Sequence, residues 1–321
     1  MASYIRYISK THRILKLIAD YEKVSLLYLY LDYAWCFIRH GCLINQYYNG
    51  NFYKTPCIIR KKSFTQRRLE RIIRLCNDER YIKYLEDKTL FNEYFSEFVH
   101  RKWLCSKHMS KQEFICLCDS NSELFIKPID AMEGEGVRKI TINNDNLEYI
   151  YEDLIKQDVL IEESIKQHSQ LNIGNASVNS SRILTVLDNY GKAHVIRAGL
   201  RAGVGGAVVD NFSAGGVLYQ IDIKSGRIDH KGIQGTNYDI IYHPNTNLCM
   251  LGYQIPNWSA VLETVVKAAE KLPGCRFIGW DVAITNNSVE LIEGNHNPGI
   301  FTLESLGTPG AYEDVMEILI R

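Results

Sequence analysis

Hydrophobic and polar positions change their period several times along the chain. From the N-terminus to about residue 80 apolar residues recur at helical spacing, most clearly in ILKLIADYEKVSLLYLYLDYAWCFI, Ile14 to Ile38. A turn-like stretch, HGCLINQYYNGNFY, then leads into SFTQRRLERIIRLCNDERYIKYLEDK. There Ser63 or Thr65 caps a helix whose apolar stripe is Leu69, Ile72, Ile73 and Leu75 or Cys76. The spacing of Leu90, Phe91, Tyr94, Phe95 and Phe98 predicts another helix beginning near Asp87. Short strand-like runs follow, EFICLCD (Glu113 to Asp119) and ELFIKPID (Glu123 to Asp130), then a polar helix over Asn143 to Gln157 and a buried strand over Val159 to Ile161.

The remainder, from Asn175, is rich in strands. RILTVLD, a DNYG turn and AHVIRAGLR form a hairpin. A loop over Asp210 to Gly216, with its Gly215-Gly216 pair, precedes the next strand. Trp258 to Cys275 is predicted as a helix with a capping box built from Ser259 or Asn257 and Glu263. A second hairpin, FIGWDVAITNNSVELIEGNHNPG (Phe277 to Gly299), and an amphipathic helix over Ala311 to Ile320 complete the chain.

Composition narrows the class. With 321 residues, 46% apolar, 23% charged and no net charge, the chain has the balance of a globular protein of two or three lobes. Net charge supplies no general reason to bind nucleic acid or an anionic membrane, and the arginines at 67, 68, 71 and 74 read either as a local nucleic-acid or acidic-lipid patch or as a solvated helix face. Nine cysteines without a CxxC pair read as reduced thiols of a cytoplasmic protein. The longest apolar run, Leu26 to Ile38, is about half a membrane span and contains Asp32, so a buried helix is expected rather than a transmembrane one.

The candidate chemistry concentrates on the last hairpin. Glu293 and Asn295, two apart on a strand, project to one face. Whether Asp281 joins them depends on register. A two-residue turn at Asn286-Asn287 sets Asp281 opposite Ile292, whereas a three-residue loop over Asn286 to Ser288 sets it opposite Glu293. A metal site therefore calls for an odd-length loop. Two carboxylates and an amide suit Mg²⁺ bridging nucleotide phosphates; the alternative is a solvated strand end.

Further signals lie upstream. Lys88 occupies the first turn of its helix, where a cation opposes the dipole, as a lysine held for an anion would. Lys127 sits in an apolar strand that leads into a loop containing Glu133, Gly134 and Gly136, an arrangement able to bring backbone amides and a point charge over a polyphosphate. The strand before Ser164 and Ile165 ends in Glu162-Glu163, as at a hinge that reads a base edge and ribose hydroxyls. Arg197 and Arg201 alternate onto one sheet face and the partner strand adds Arg182, so the hairpin suits an anionic ligand, an exposed arginine ladder being the alternative.

In this order the pieces resemble the ATP-grasp superfamily, in its sugar-transfer-associated, α-L-glutamate ligase-related branch of polysaccharide-biosynthesis proteins. DKTLFNEYF, FIKP with EGEGV, VLIEESI, SSRILTV, RAGLRAG with VDNFSAGG, and FIGWDVAI with VELIEGNHNPG carry the resemblance. It implies an α+β ATP-grasp fold: a mainly helical region over residues 1–86, a small lobe with its linker over 87–165, and a large lobe with the Mg²⁺ hairpin over 166–321. It also implies ATP and two Mg²⁺ ions. Lys88 and Lys127 would contact phosphates, with Glu133, Gly134 and Gly136 closing over them. Glu162, Glu163, Ser164 and Ile165 would hold adenine and ribose, and Asp281, Glu293 and Asn295 the metal. The helical first 80 residues depart from the α/β first domain of many ATP-grasp ligases.

The chemistry implied is ligation: a carboxylate attacks the γ-phosphate of ATP, and an amine displaces phosphate from the acylphosphate to give an amide and ADP. Arg182, Arg197 and Arg201 would hold the substrate carboxylate or the oxyanion. No general base is evident; His168, His194 and His296 are candidates only as titratable groups. Family context points to a small-molecule or glycan carboxylate such as a uronic acid, an amine or amino-acid co-substrate, and polysaccharide-assembly enzymes as partners. The alternatives are a non-catalytic nucleotide- or glycan-binding partner of a glycosyltransferase and a phosphotransferase.

Overall fold

The computed structural model describes residues 2–119, 121–130, 135–143, 145–173, 177–205, 215–235, 237–299 and 310–320. In chain order the helices are α1 (Ala2–Glu22), α2 (Leu26–His40), α3 (Ile44–Asn49), α4 (Cys57–Lys62), α5 (Gln66–Cys76), α6 (Glu79–Glu86), α7 (Lys88–Tyr94), α8 (Lys111–Asp119), α9 (Leu147–Leu154), α10 (Trp258–Lys271) and α11 (Tyr312–Ile320). The strands are β1 (Trp103–Cys105), β2 (Glu123–Pro128), β3 (Arg138–Thr141), β4 (Val159–Glu163), β5 (Ser181–Leu187), β6 (Ala193–Ala202), β7 (Val217–Gln220), β8 (Gly232–Gln234), β9 (Asn237–Ile240), β10 (Phe277–Ile284) and β11 (Val289–Asn295). Two compact units result, residues 1–75 with 299–321, and residues 76–298. None of the described helices is long and apolar enough to cross a membrane.

In the helical unit, α1 and α2 bury Leu15, Ile18, Leu29, Tyr33 and Cys36 against Ile44, Tyr47 and Phe52. Its interior is also ionic. Arg60 donates to Asp32 at 2.7 Å, and the same carboxylate accepts from the Tyr47 hydroxyl at 2.5 Å. Of the clustered arginines, Arg67 lies over the Phe37 ring. Arg68 donates to the carbonyls of Arg60, Lys61 and Ser63 and stacks on Tyr312 of α11. Arg68 thus ties the unit together, whereas Arg67, Arg71 and Arg74 are exposed, as on a solvated face. Thr65 caps α5 as expected, its hydroxyl accepting from the Arg68 amide.

The larger unit holds two antiparallel sheets. The four-stranded one runs β1-β4-β2-β3, with α8 and α9 packed on the face that presents Leu124, Ile126, Val159 and Ile161. The seven-stranded one runs β11-β10-β5-β6-β7-β8-β9, and its core face, including Trp280, Ile183, Ala198 and Leu200, packs against α10 and α7. Asn77 behaves like a short piece of strand: its amide accepts from the Phe277 N–H at 3.0 Å and donates to the Phe277 and His296 carbonyls.

Two local expectations fail. Residues Glu113 to Asp119 belong to helix α8, not a strand, because Ser110 and Glu113 form a capping box: the Ser110 hydroxyl accepts from the Glu113 amide and the Glu113 carboxylate from the Ser110 amide. Phe114 and Leu117, three apart, are then the buried pair. Conversely, α10 has no capping box; Asn257 sits in the left-handed region with no side-chain cap bond, and Glu263 pairs with Lys267 one turn on.

The buried His40 yields a pH dependence. Burial and the surrounding cations Arg68, Arg60, Arg39 and Lys61 push its pKa down from 6.5 to about 4. The unfolded chain therefore binds this proton at higher pH than the folded one. Stability from this group is complete above pH 6.5 and is lost as the pH falls towards 4. Urea titrations of the full chain across that range should show the loss, and His40→Asn should flatten it.

Candidate functional site

The face of the large sheet opposite α10 carries a row of cross-strand partners. Glu293 of β11 lies opposite Asp281 of β10, Asp281 opposite Arg182 of β5, Arg182 opposite Gly199 of β6, and Gly199 opposite Gln220 of β7. Direct partners in an antiparallel ladder share a face, so the hairpin's two acids do converge. They do so by a different route from the loop expected. The turn is the two-residue kind at Asn286-Asn287, closed by Thr285 and Ser288, and it alone would set Asp281 opposite Ile292. A β-bulge between Asp281 and Val282 in the pairing leaves Ile292 as the extra residue and moves Glu293 into place.

Arg101, which carries no pattern legible in the sequence, holds this bulge. Its guanidinium donates to the carbonyls of Leu291 at 2.6 Å and Ile292 at 3.4 Å, and to Glu162 of β4 at 2.8 Å. Glu290 accepts from the backbone amides of His100 and Arg101, and Asn92 donates to Glu162. Arg101 is 5% and Glu162 1% exposed, so this is a dry ion pair spanning both sheets. Lys127 of β2 also pairs with Glu162. Burial alone would raise the Glu162 pKa, but Arg101 and Lys127 outweigh it and hold the carboxyl well below the usual carboxylate range.

On the large sheet Arg182 grips Asp281 with two nitrogens, and Arg201 donates to the same carboxylate at 2.9 Å. Burial would raise the pKa of Asp281; the two arginines lower it. Glu293 is pushed up by burial and by the negative charge of Asp281. The two acids are hydrogen-bonded, and Asn295 donates to Glu293 at 3.0 Å, which turns its amide oxygen away from that carboxylate. Arg197 lies on the same face, donating to the Ile196 carbonyl. Gly279, also on this face, leaves room for Arg182: a Cβ there would come within 3.2 Å of the guanidinium and 2.6 Å of Pro298.

Lys88 connects the two clusters. It opens α7, whose first amides are capped by Asp87, and its ammonium donates to the carbonyls of Pro128 and Ile129 at 2.9 and 3.1 Å. Burial lowers its pKa, and Glu293, Lys127, Glu162 and Asp130 are the charges acting on it. Those carbonyls explain a lysine in a helix's first turn. At the end of β4, Glu163 accepts from the Lys102 amide and from Asn121, and Ser164 donates to the Glu123 carbonyl; Ile165 is half-buried beyond them. Gly136 has φ +71°, while Glu133, Gly134 and most of the Asp210 to Gly216 loop lie outside the described residues. The three histidines are engaged elsewhere: His168 accepts from the Gln170 amide, His194 pairs with Asp188 and His296 with Glu86.

For a divalent cation the donor chemistry is mixed. Among the described residues, no three His, Cys, Asp or Glu side chains gather closely enough to hold a metal ion. Glu293 and the Asn295 amide oxygen are hard donors on one face and fit Mg²⁺, whereas both oxygens of Asp281 already accept from arginine.

Two antiparallel sheets with helices, carrying neighbouring clusters of lysine, arginine and acid, define an α+β architecture. The sequence matches the sugar-transfer associated ATP-grasp family over residues 67–317, and the chain belongs to that family. Its fold is accordingly ATP-grasp, with a helical N-terminal region. No curated protein sequence matches it. Similar solved structures include the ATP-grasp ligase PsnB with a phosphomimetic variant of minimal precursor, Mg and ADP. That comparison has 15% identity and a TM-score of 0.46, over 76% of this chain and 61% of that one. D-alanine-D-alanine ligase from Helicobacter pylori gives 15% and 0.45, over 73% and 60%; VanG D-Ala:D-Ser ligase from Enterococcus faecalis gives 17% and 0.42, over 73% and 60%. The chain thus spans about three-fifths of the length of these structures.

Removing Arg101 takes one of its two cations from the buried Glu162 and leaves two bulge carbonyls without their donor. Arg101→Ala should destabilise the protein by about 3–5 kcal/mol in chemical denaturation, whereas Arg80→Ala, an exposed control, should have little effect. Gly279→Ala should leave the fold intact but displace Arg182, read as a loss of activity larger than any loss of stability.

Proposed function

We propose that the protein is an ATP-dependent carboxylate–amine ligase that forms an amide through an acylphosphate and releases ADP. The observation that carries this reading is the row Glu293–Asp281–Arg182, flanked by Arg201 and Asn295 and faced by Lys88, in a chain of the ATP-grasp family. Lys88 and Lys127 bind the phosphates, with Glu162 holding Lys127 in position. Glu133, Gly134 and Gly136 cover the phosphates. Glu163, Ser164 and Ile165, at the end of β4, line the adenine and ribose side. Glu293 and Asn295, with Asp281 behind them, hold two Mg²⁺ ions; the cations, when bound, offset charge developing on the transferred phosphoryl group.

Arg182 and Arg201 are aimed by their shared bonds to Asp281, so they present fixed positive charge to a carboxylate substrate without reorganising during reaction. Arg197 adds a third guanidinium on the same face. The family's association with sugar transfer supports a sugar carboxylate such as a uronic acid, joined to an amino acid or amine in surface-polysaccharide synthesis beside other assembly enzymes in the cytoplasm.

Incubation with ATP, Mg²⁺, hydroxylamine and a panel of uronic acids and amino acids tests this. A hydroxamate formed with stoichiometric ADP is expected from the productive carboxylate. ADP without hydroxamate would favour a phosphotransferase, and absence of ATP binding a non-catalytic partner. Glu293→Gln and Lys127→Ala should each lower the rate of ADP formation at least about 100-fold, in line with removal of a group that stabilises transition-state charge.

A further inference from the structure

Helix α2 is apolar on two sides. Its inward face buries Leu29, Tyr33 and Cys36. Leu27, Tyr28, Leu31, Trp35 and Ile38 recur at helical spacing on the opposite side, and they are 54–80% exposed. Its polar groups do not interrupt this second stripe: Asp32 is turned inward to Arg60 and Tyr47, His40 is buried, and Arg39 stands in the last turn. The 15-residue helix is about 22 Å long, shorter than a hydrocarbon core of about 30 Å. Such a helix lies along an interface instead of crossing it.

Charge selects what that interface is. Residues 1–75 contain 14 Lys and Arg against 4 Asp and Glu, a surplus of ten positive charges in a chain whose total is zero; residues 299–321, with 1 Arg against 4 acids, leave the helical unit at +7. On α1, Arg6, Lys10, Arg13, Leu17 and Tyr21 follow one another at three- and four-residue steps and are all exposed. His12, on the side of α1 that meets α2, bonds Tyr30 at 2.5 Å, so the Arg6–Tyr21 stripe lies on the side of α1 turned away from α2. A basic helix paired with one whose outer stripe is apolar and carries Tyr and Trp has the composition of an element seated at the headgroup level of an anionic bilayer. A second copy of this chain would bring +7 against +7. Nucleic acid would leave the leucines and Trp35 without an apolar partner.

We propose that the α1–α2 pair docks the protein on anionic membrane surfaces, α2 inserting its outer stripe and α1 supplying the electrostatic attraction. The test is sedimentation of the full chain with vesicles of phosphatidylcholine alone or with about a third phosphatidylglycerol, a level that gives a strongly negative surface potential. Binding is expected only to the anionic vesicles, weakening with salt, with a blue shift in Trp emission that Trp35→Phe removes, since Trp258 and Trp280 are buried and Trp103 is half-buried. Trp35→Glu and Leu31→Glu, both exposed, should abolish binding with unchanged circular dichroism, and Arg13→Ala should weaken it about fivefold. No binding to anionic vesicles at low salt overturns the proposal, as does equal binding by Trp35→Glu. Concentration-dependent self-association that Trp35→Glu removes, without vesicle binding, overturns it in favour of a second copy.

Discussion

The bond between Arg101 and Glu162 is the constraint on which the site depends. Neither charge reaches water, so each is tolerable only in the other's company. Since Glu162 lies on the small sheet and the Leu291 and Ile292 carbonyls that Arg101 also reaches lie on β11, the pair fixes the two sheets against each other. The same guanidinium satisfies the carbonyls that the bulge at Ile292 would leave unpaired. Sheet placement, bulge and the meeting of Glu293 with Asp281 are therefore one event. Lys127, drawn to the other oxygen of Glu162, is positioned by the same ion.

A second principle orders the large sheet's face. Acids on β11 and β10 meet arginines on β5 and β6, from Glu293 and Asp281 to Arg182 and Arg201, so the Asp281 carboxylate and both arginines are held before any ligand arrives. The glycine at 279 keeps Arg182 from being crowded out of this arrangement. The opposite shifts of the two acids follow from their surroundings, Glu293 being raised by burial and by Asp281, and Asp281 lowered by the arginines that face it.

Much of this was readable in the chain because it is local. The alternation of Glu293 and Asn295, the β5–β6 hairpin with its arginines, and the lysine that opens α7 need only strand and helix periodicity. The register of Asp281 was not readable, because it is decided by a bulge whose support, Arg101, comes from about 190 residues away in sequence. The turn chemistry at Asn286-Asn287 pointed to the opposite answer and is correct as turn chemistry. Helix α8 reads as a strand from sequence for a simpler reason: EFICLCD satisfies both periods over so short a run, and the deciding signal, Ser110 with Glu113, lies at its edge. The helical unit's inward-facing Asp32 and Arg68 look like surface charges until their partners are known.

Asn77 has a topological consequence. The helical unit is assembled from both ends of the chain, so the larger unit is an insertion with one covalent entry, near residue 76, and one exit, near residue 298. Asn77 bonds the carbonyl of His296 at 3.1 Å, which brings entry and exit to within a single side chain of one another. The insertion is thus closed like a loop drawn tight at its neck. A cut on both sides of that neck would release residues 76–298 with adjacent ends, and would leave residues 75 and 299 as the ends to be rejoined by a short linker.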